Sequence, residues 1–144
     1  MRLYVHYAPT ALPHGGGNTF MADILGYCRR AGVALAPSIN SDYDILLANG
    51  ALSAPNTYIN LQELLEQKFI GRSGPFRRLV RRRSGRIIVY RADGFRCIYA
   101  GQERNYGDTI QRCCLQLADH VVVQNQWSIK MLQDPRIDYH GSNH

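Results

Sequence analysis

Short apolar runs alternate with amphipathic stretches along this chain, and the alternation predicts strands and helices in turn. Residues 2–8 (RLYVHYA) mix β-formers with an apolar trend, and Pro9, which lacks a backbone N–H, ends any ladder there. The Gly- and Pro-dense TALPHGGGN that follows is turn chemistry and reads as a loop. From Thr19 the apolar residues Phe20, Ile24, Leu25, Tyr27 and Cys28 recur at helical spacing. Asn18 stands where an N-cap belongs, and Gly32 where the helix would stop. Residues 33–37 (VALAP) suggest a short strand and 43–48 (YDILLA) a stronger one, continuous enough to be covered on both faces and closed by Asn49 and Gly50.

The second half repeats the pattern. Leu61, Leu64, Leu65 and Phe69 mark a helical stripe over about 60–68, ending near Gly71. Residues 86–90 (RIIVY) form a β-branched run that delivers Arg91, Asp93 and Gly94 at its end. Residues 95–106 have no period and read as a loop. A helix capped by Asp108 carries Ile110, Cys113, Cys114, Leu117 and Ala118 on one side. A strand over 120–123 and a helix over 126–133 with Trp127, Met131 and Leu132 complete the set, and Trp127 reads as a packing residue. After Pro135 the sequence shows no core-building pattern, so residues 1–134 are expected to form the domain and 135–144 a tail or truncated interdomain linker. Strands alternating with helices predict an α/β, Rossmann-like three-layer sandwich with a mostly parallel sheet.

Composition narrows this picture. A length of 144 residues with 45% hydrophobic content suits one α/β domain with its own core. No apolar run approaches the ~20 residues that span a bilayer, and the first residues have no apolar stretch of the secretory type. The expectation is a cytoplasmic protein. Cys28, Cys97, Cys113 and Cys114 lack paired metal-ligand spacing and read as small buried hydrophobes; the five histidines are equally scattered, so no metal site is expected.

The net charge of +6 is local. Nine basic residues and no acid lie between Glu66 and Asp93, so the remainder of the chain is net acidic. Within this stretch Arg77, Arg78, Arg81, Arg82 and Arg83 are interleaved with Phe76, Leu79 and Val80. That amphipathic character suits a solvated surface, peripheral contact with acidic lipid, an anionic acceptor or RNA; nucleic acid is the least supported, because stacking aromatics and a nucleic-acid motif are missing.

Three groups could carry chemistry. Gly15, Gly16 and Gly17 lie between a strand and a helix, where bare backbone N–H groups and the helix dipole suit a phosphate; the alternative is a plain turn. The pattern is neither G-x-G-x-x-G nor a Walker loop, so dinucleotide or ATP binding is weakly supported. Arg91 and Asp93 follow a buried strand, where the carboxylate could orient a hydroxyl or accept its proton and the arginine could neutralise a phosphate; a cap or local ion pair is the other reading. Gln124 and Asn125 follow the last strand, as ligand-binding amides or as helix caps.

In order and spacing, HGGGNTFMADILGYCRRAGV, DYDILLANG, IVYRADG and QLADHVVVQNQWSIKML resemble the N-terminal domain of GT-B glycosyltransferases of the family 4 type. The resemblance implies two Rossmann-like domains facing across a cleft. The acceptor sits on the N-terminal one and a nucleotide-diphospho-sugar mainly on the C-terminal one, and a hexosyl unit is transferred with retention, without an obligatory metal or other cofactor. It places Gly16, Gly17 and Asn18 near the donor phosphates, with Gly15 beside them. Arg91, Asp93 and Gly94 fall at the acceptor side, Asp93 as the candidate catalytic carboxylate, and Gln124 and Asn125 line the cleft. Tyr90 stands where the family often has His, and the family's E-x7-E pair has no counterpart after Trp127. These residues alone are therefore expected to be inactive without a donor-binding domain. The competing expectation is a stand-alone α/β module whose arginines bind a polyanion, RNA or acidic lipid, and a nucleotide-binding regulatory domain is a third.

Overall fold

A computed structural model describes residues 1–7, 15–49, 59, 61–70, 86–92, 94–95, 98, 106–135 and 137. The apolar runs become five strands, β1 (Arg2–His6), β2 (Ala34–Leu35), β3 (Ile45–Asn49), β4 (Ile87–Arg91) and β5 (His120–Val122). All pair in parallel, in the order β2-β1-β3-β4-β5. Between them lie α1 (Gly15–Arg30), α2 (Leu61–Leu65) continuing as a π-helical turn (Glu66–Ile70), and α3 (Tyr106–Leu117), with α4 (Gln126–Leu132) after β5. The chain is thus an α/β, Rossmann-like domain.

The order of the strands decides which helix covers which face. The step from β1 to β2 runs one way across the sheet, and the steps β3 to β4 and β4 to β5 run the other. Right-handed crossovers then put α1 on the face opposite α2 and α3. The core follows this division. Leu46, Ala48, Ile88 and Tyr90 point to one side and join Leu64 of α2, Ile110, Cys114 and Leu115 of α3, and Met131 and Leu132 of α4 in one buried cluster. Alternation sends the neighbouring side chains Leu47, Asn49 and Arg91 to the α1 side. Ile137 is also part of the main cluster, 1% exposed, so the core extends past the expected boundary at residue 134.

Two helices begin earlier than their capping residues suggested. Asn18 lies inside α1 and is not its cap, and Gly15, Gly16 and Gly17 form the first helical turn, not a loop. Glycine is a poor helix former, so propensity alone delays the start. Here a tertiary contact overrides it: Tyr7, just past β1, donates its hydroxyl to Asn18 Oδ1 at 3.1 Å. Asp108 likewise sits within the first turn of α3, fully buried, where its charge favours the helix dipole without the extended backbone of a cap. The end of α1 matches expectation. Gly32 adopts φ 67°, Val33 N–H bonds Cys28 C=O at 2.9 Å and Gly32 N–H bonds Arg29 C=O at 3.3 Å, the paired closure of a Schellman motif.

The helical stripe after Leu61 is corrected by the π turn. Its wider turn carries Phe69 to 64% exposure and brings Gln67 inside. Gln67 is held there: its Oε1 accepts from the Tyr43 hydroxyl at 2.9 Å and from Arg86 Nη1, and its C=O accepts from Arg86 N–H at 3.4 Å. Arg86 is therefore no part of a solvated basic surface. Its guanidinium also donates to Ile39 C=O at 3.1 Å and Ser41 C=O at 2.9 Å, and lies 3.5 Å over the Tyr43 ring. Burial pushes the Tyr43 hydroxyl up to about 12, against the opposing pull of Arg86. Trp127 also departs from expectation. Residues 128, 131 and 132 form the inner face of α4, which leaves Trp127 half exposed beside it.

At the amino end of β4, Asp119 closes the ladder. Its N–H donates to Ile88 C=O and its Oδ2 accepts from Ile88 N–H, both at 2.8 Å, while Oδ1 accepts from Lys68 Nζ at 2.5 Å. Partial burial pushes this carboxyl up, but the Ile88 N–H, the Lys68 ammonium and His120 outweigh it and hold the group below the ordinary aspartate range.

Two outcomes test these anchors. Arg86→Ala should lower the unfolding free energy in urea by about 3 kcal/mol, since it strands several buried acceptors; a loss under about 1 kcal/mol would show the network to be peripheral. An unfolded aspartate titrates near about 3.9, so the depressed Asp119 stabilises the fold above that pH and loses its contribution as pH falls through the lower folded value. Asp119→Asn should therefore be less stable than the parent at pH 7, and the difference in thermal midpoint should shrink below about pH 4.

Candidate functional site

In an all-parallel sheet every strand delivers its carboxyl end to the same rim, and ligands of open α/β sheets bind there, where the strand order changes direction. In this order the change falls between β1 and β3. Tyr7 leaves β1, Asn49 ends β3, Arg91 ends β4, and Gln124 and Asn125 follow β5. The first turn of α1 starts at this rim as well, with N–H groups that have no acceptor inside the helix and no acidic residue in the turn.

Register makes a specific pair of two of these residues. Asn49 is the direct partner of Arg91 across β3 and β4, so the two side chains emerge on the same face. Arg91 Nη1 donates to Asn49 Oδ1 at 2.6 Å, and each residue is only 1% exposed. The guanidinium also lies 5.0 Å over the ring of Phe20 in α1, which draws the helix onto the end of β4. Asn49 Nδ2 is buried and has no hydrogen-bond partner among the described residues.

The neighbouring Tyr90, where the resembled family often carries His, faces the other way. It is 1% exposed, and its hydroxyl donates to Gln111 Oε1 at 3.4 Å. Gln111 Nε2 in turn donates to Gly94 C=O at 3.3 Å, so Gly94 is positioned from α3, and Phe95 N–H reaches Met131 Sδ at 3.2 Å. Tyr90 packs the core side of the sheet while Arg91 serves the α1 side.

Of the residues singled out from the sequence, Gly15, Gly16, Gly17, Asn18, Arg91, Gly94, Gln124 and Asn125 all fall at the carboxyl rim. Asp93 lies outside the described residues, as do Arg77, Arg78, Arg81, Arg82 and Arg83. Asn125 has a defined local task. With φ −160° and ψ 170° it is the N-cap of α4, its Oδ1 accepting from Ser128 N–H at 2.9 Å and from Ser128 Oγ at 3.1 Å. Gln124 is exposed. Asn49 was missed as a functional candidate. The sign was there: a lone polar residue ends the otherwise apolar ILLAN strand, at the position where an α/β sheet presents its ligands.

Other chemistry is thin. Burial, and then the adjacent Cys113, push the Cys114 thiol up to about 12, so it is no nucleophile at neutral pH. Among the described residues no group of three or more His, Cys, Asp or Glu side chains could hold a metal ion, and no helix is long and apolar enough to cross a membrane. Of the nine clustered basic residues the described three are engaged internally: Lys68 with Asp119, Arg86 with Gln67 and Arg91 with Asn49.

Comparison of the chain with protein-family models, with curated proteins and with solved structures gives no match in any of the three.

Capping and ligand contact can be separated at Asn125. Asn125→Ala should destabilise the fold by about 1 kcal/mol in chemical denaturation, and Asn125→Asp should retain most of that stability; equal stability of all three proteins would remove the capping role.

Proposed function

We propose that this domain is the acceptor-side, N-terminal half of a retaining GT-B glycosyltransferase. The observation that carries the reading is the buried Arg91–Asn49 pair, set at the carboxyl rim and held against α1 through Phe20. Of the segments that carry the family resemblance, the described residues Gly15 to Asn18 in the first turns of α1, Asn49 at the end of β3, and Arg91 and Gly94 at and after the end of β4 stand at this rim, in a sheet of order β2-β1-β3-β4-β5.

In this reading the backbone of Gly16 and Gly17 at the start of α1 faces the donor diphosphate, where helix N–H groups and the dipole offset its charge. A second Rossmann-like unit holds the nucleotide sugar from across the cleft. Arg91, Asp93 and Gly94 address the acceptor, with Asp93 orienting its hydroxyl, and Gln124 and Asn125 border the cleft. The new bond joins the acceptor oxygen to the anomeric carbon, the bond from that carbon to the diphosphate oxygen breaks, and the nucleoside diphosphate leaves with the electron pair and takes up the proton that the acceptor hydroxyl loses. One rim positions an acceptor but does not by itself preorganise a donor. The polyanion reading rests on Arg77, Arg78, Arg81, Arg82 and Arg83, which lie outside the described residues.

Amide spectra of the isotope-labelled 144-residue chain give the test. Nucleotide sugars should shift the amides of residues 15–18, acceptor-type polyols and their esters those of 49, 91–94 and 124–125, and sugar transfer by these residues alone should be undetectable. Shifts confined to residues 72–83 on adding RNA or acidic vesicles, with a steep loss on raising salt, would replace the transferase reading with a polyanion-binding one.

A further inference from the structure

We infer that Gln111 of α3 is a positioning residue for the turn after β4, fixing the main chain just beyond Asp93, the candidate carboxylate of the proposed reaction. Naming that turn acceptor-side rests on the transferase reading; the hold of Gln111 on it does not.

The described residues on either side of position 93 are anchored from other elements. Before it, Ala92 N–H donates to Val122 C=O of β5 at 3.0 Å, and Arg91 and Ala92 are both buried. After it, Gly94 C=O accepts from Gln111 Nε2 at 3.3 Å, and Phe95 N–H donates to Met131 Sδ of α4 at 3.2 Å, with Phe95 fully buried. Side chains of two helices thus take over the main-chain groups where the strand ladder stops. A turn tied to rigid elements in this way holds the residue it brackets more closely than a turn that is bonded only within itself.

The chemistry of Gln111 suits a task of direction better than one of stability. It is 2% exposed and lies on the helix that supplies Ile110, Cys114 and Leu115 to the core. An apolar side chain of similar volume would fill this place without the cost of desolvating an amide. What an apolar chain lacks is a donor end and an acceptor end. The Tyr90 hydroxyl donates to Gln111 Oε1 at 3.4 Å, which turns Nε2 toward Gly94. Tyr90 therefore sets which way the amide faces, and the amide sets where the Gly94 carbonyl points. Both bonds are longer than the usual range, so neither stabilises the fold much, and their effect is on geometry.

The test reads amide hydrogen exchange of the isotope-labelled 144-residue chain, corrected for intrinsic rates. Phe95 N–H is the reporter, because its partner is Met131 and not Gln111. Gln111→Met, and the double variant Tyr90→Phe with Gln111→Met, should keep a thermal midpoint near the parent's and lose about tenfold in protection at Phe95, with Leu47 and Ile88 in the sheet unchanged. Gln111→Glu supplies a rescue. Its carboxyl donates to Gly94 C=O when protonated and cannot when ionised. Protection at Phe95 should therefore be near the parent's at low pH and fall as the introduced carboxyl ionises, a step the parent lacks. Glycerol and glycerol phosphate, as polyol probes, should shift residues 91–94 of the parent and bind Gln111→Met about tenfold or more weakly.

Parental protection at Phe95 in every variant would overturn the positioning role. So would a loss shared equally by the amides of β3 and β4, which marks a residue that only stabilises the core. The two readings fail separately. Loosening confined to residues 94 and 95, with no response of the parent to nucleotide sugars or polyols, supports the role of Gln111 and counts against the transferase, whereas polyol shifts at residues 91–94 that are equal in the parent and Gln111→Met do the reverse.

Discussion

The parallel pairing of β3 with β4 is the constraint on which the site depends. One register sets Leu46 beside Ile88 and Ala48 beside Tyr90 on the core face, and Leu47 beside Val89 and Asn49 beside Arg91 on the α1 face. A slip of one residue would exchange the two faces and put a guanidinium among Ile110, Cys114 and Leu115. The apolar core therefore enforces the polar pair, because the large cost of burying Arg91 on the wrong face excludes the alternative register. The packing of one side of the sheet specifies the chemistry on the other.

Two arginines bracket β4 and illustrate how position decides what a charge does. Arg86 enters the strand at its amino end, where backbone carbonyls of residues 39 and 41 and the Tyr43 ring meet its guanidinium and tie the segment before β3 to the π turn. Its commitments hold loops together. Arg91 leaves the strand at the carboxyl end, against a helix N-terminus and beside an amide with a donor to spare. In the sequence both belonged to one basic run of nine residues, and nothing in that run distinguishes an anchor from a site. The strand between them does, since its two ends face different parts of the molecule.

The fold was largely legible because it depends on patterns that survive small errors. YDILLA and RIIVY read as buried parallel strands, the Gly32 stop is a local rule obeyed locally, and helix-strand alternation leaves few topologies. Starts of helices were less legible. Asn18 and Asp108 have the chemistry of caps, yet both lie inside first turns, because the Tyr7 hydroxyl and full burial respectively give them other partners. The π turn was invisible for a related reason: Gln67 is drawn inward by Tyr43 and Arg86, both distant in sequence, and Phe69 is displaced to solvent. Where the site residues stand could be read from the sequence, and which of them touch could not. Arg91 was singled out, but its partner depends on strand register, which no local pattern of residues 45–49 encodes.

The shift in where α1 begins changes the chemistry of the glycines as well as their geometry. In a loop, Gly15 to Gly17 would offer flexible N–H groups and pay a large ordering entropy for any contact. As the first turn of a helix they are already ordered, and their N–H groups point along the axis in the direction the dipole favours for an anion. The stabilisation that offsets three glycines in a helix comes from beyond them, from Phe20 against Arg91 and Asn18 against Tyr7. The same contacts that hold the glycine turn in place also define the buried pair. Loss of Arg91 would therefore loosen the helix start as well as remove a charge, so a change at the end of β4 and a change in the glycine turn are not energetically independent.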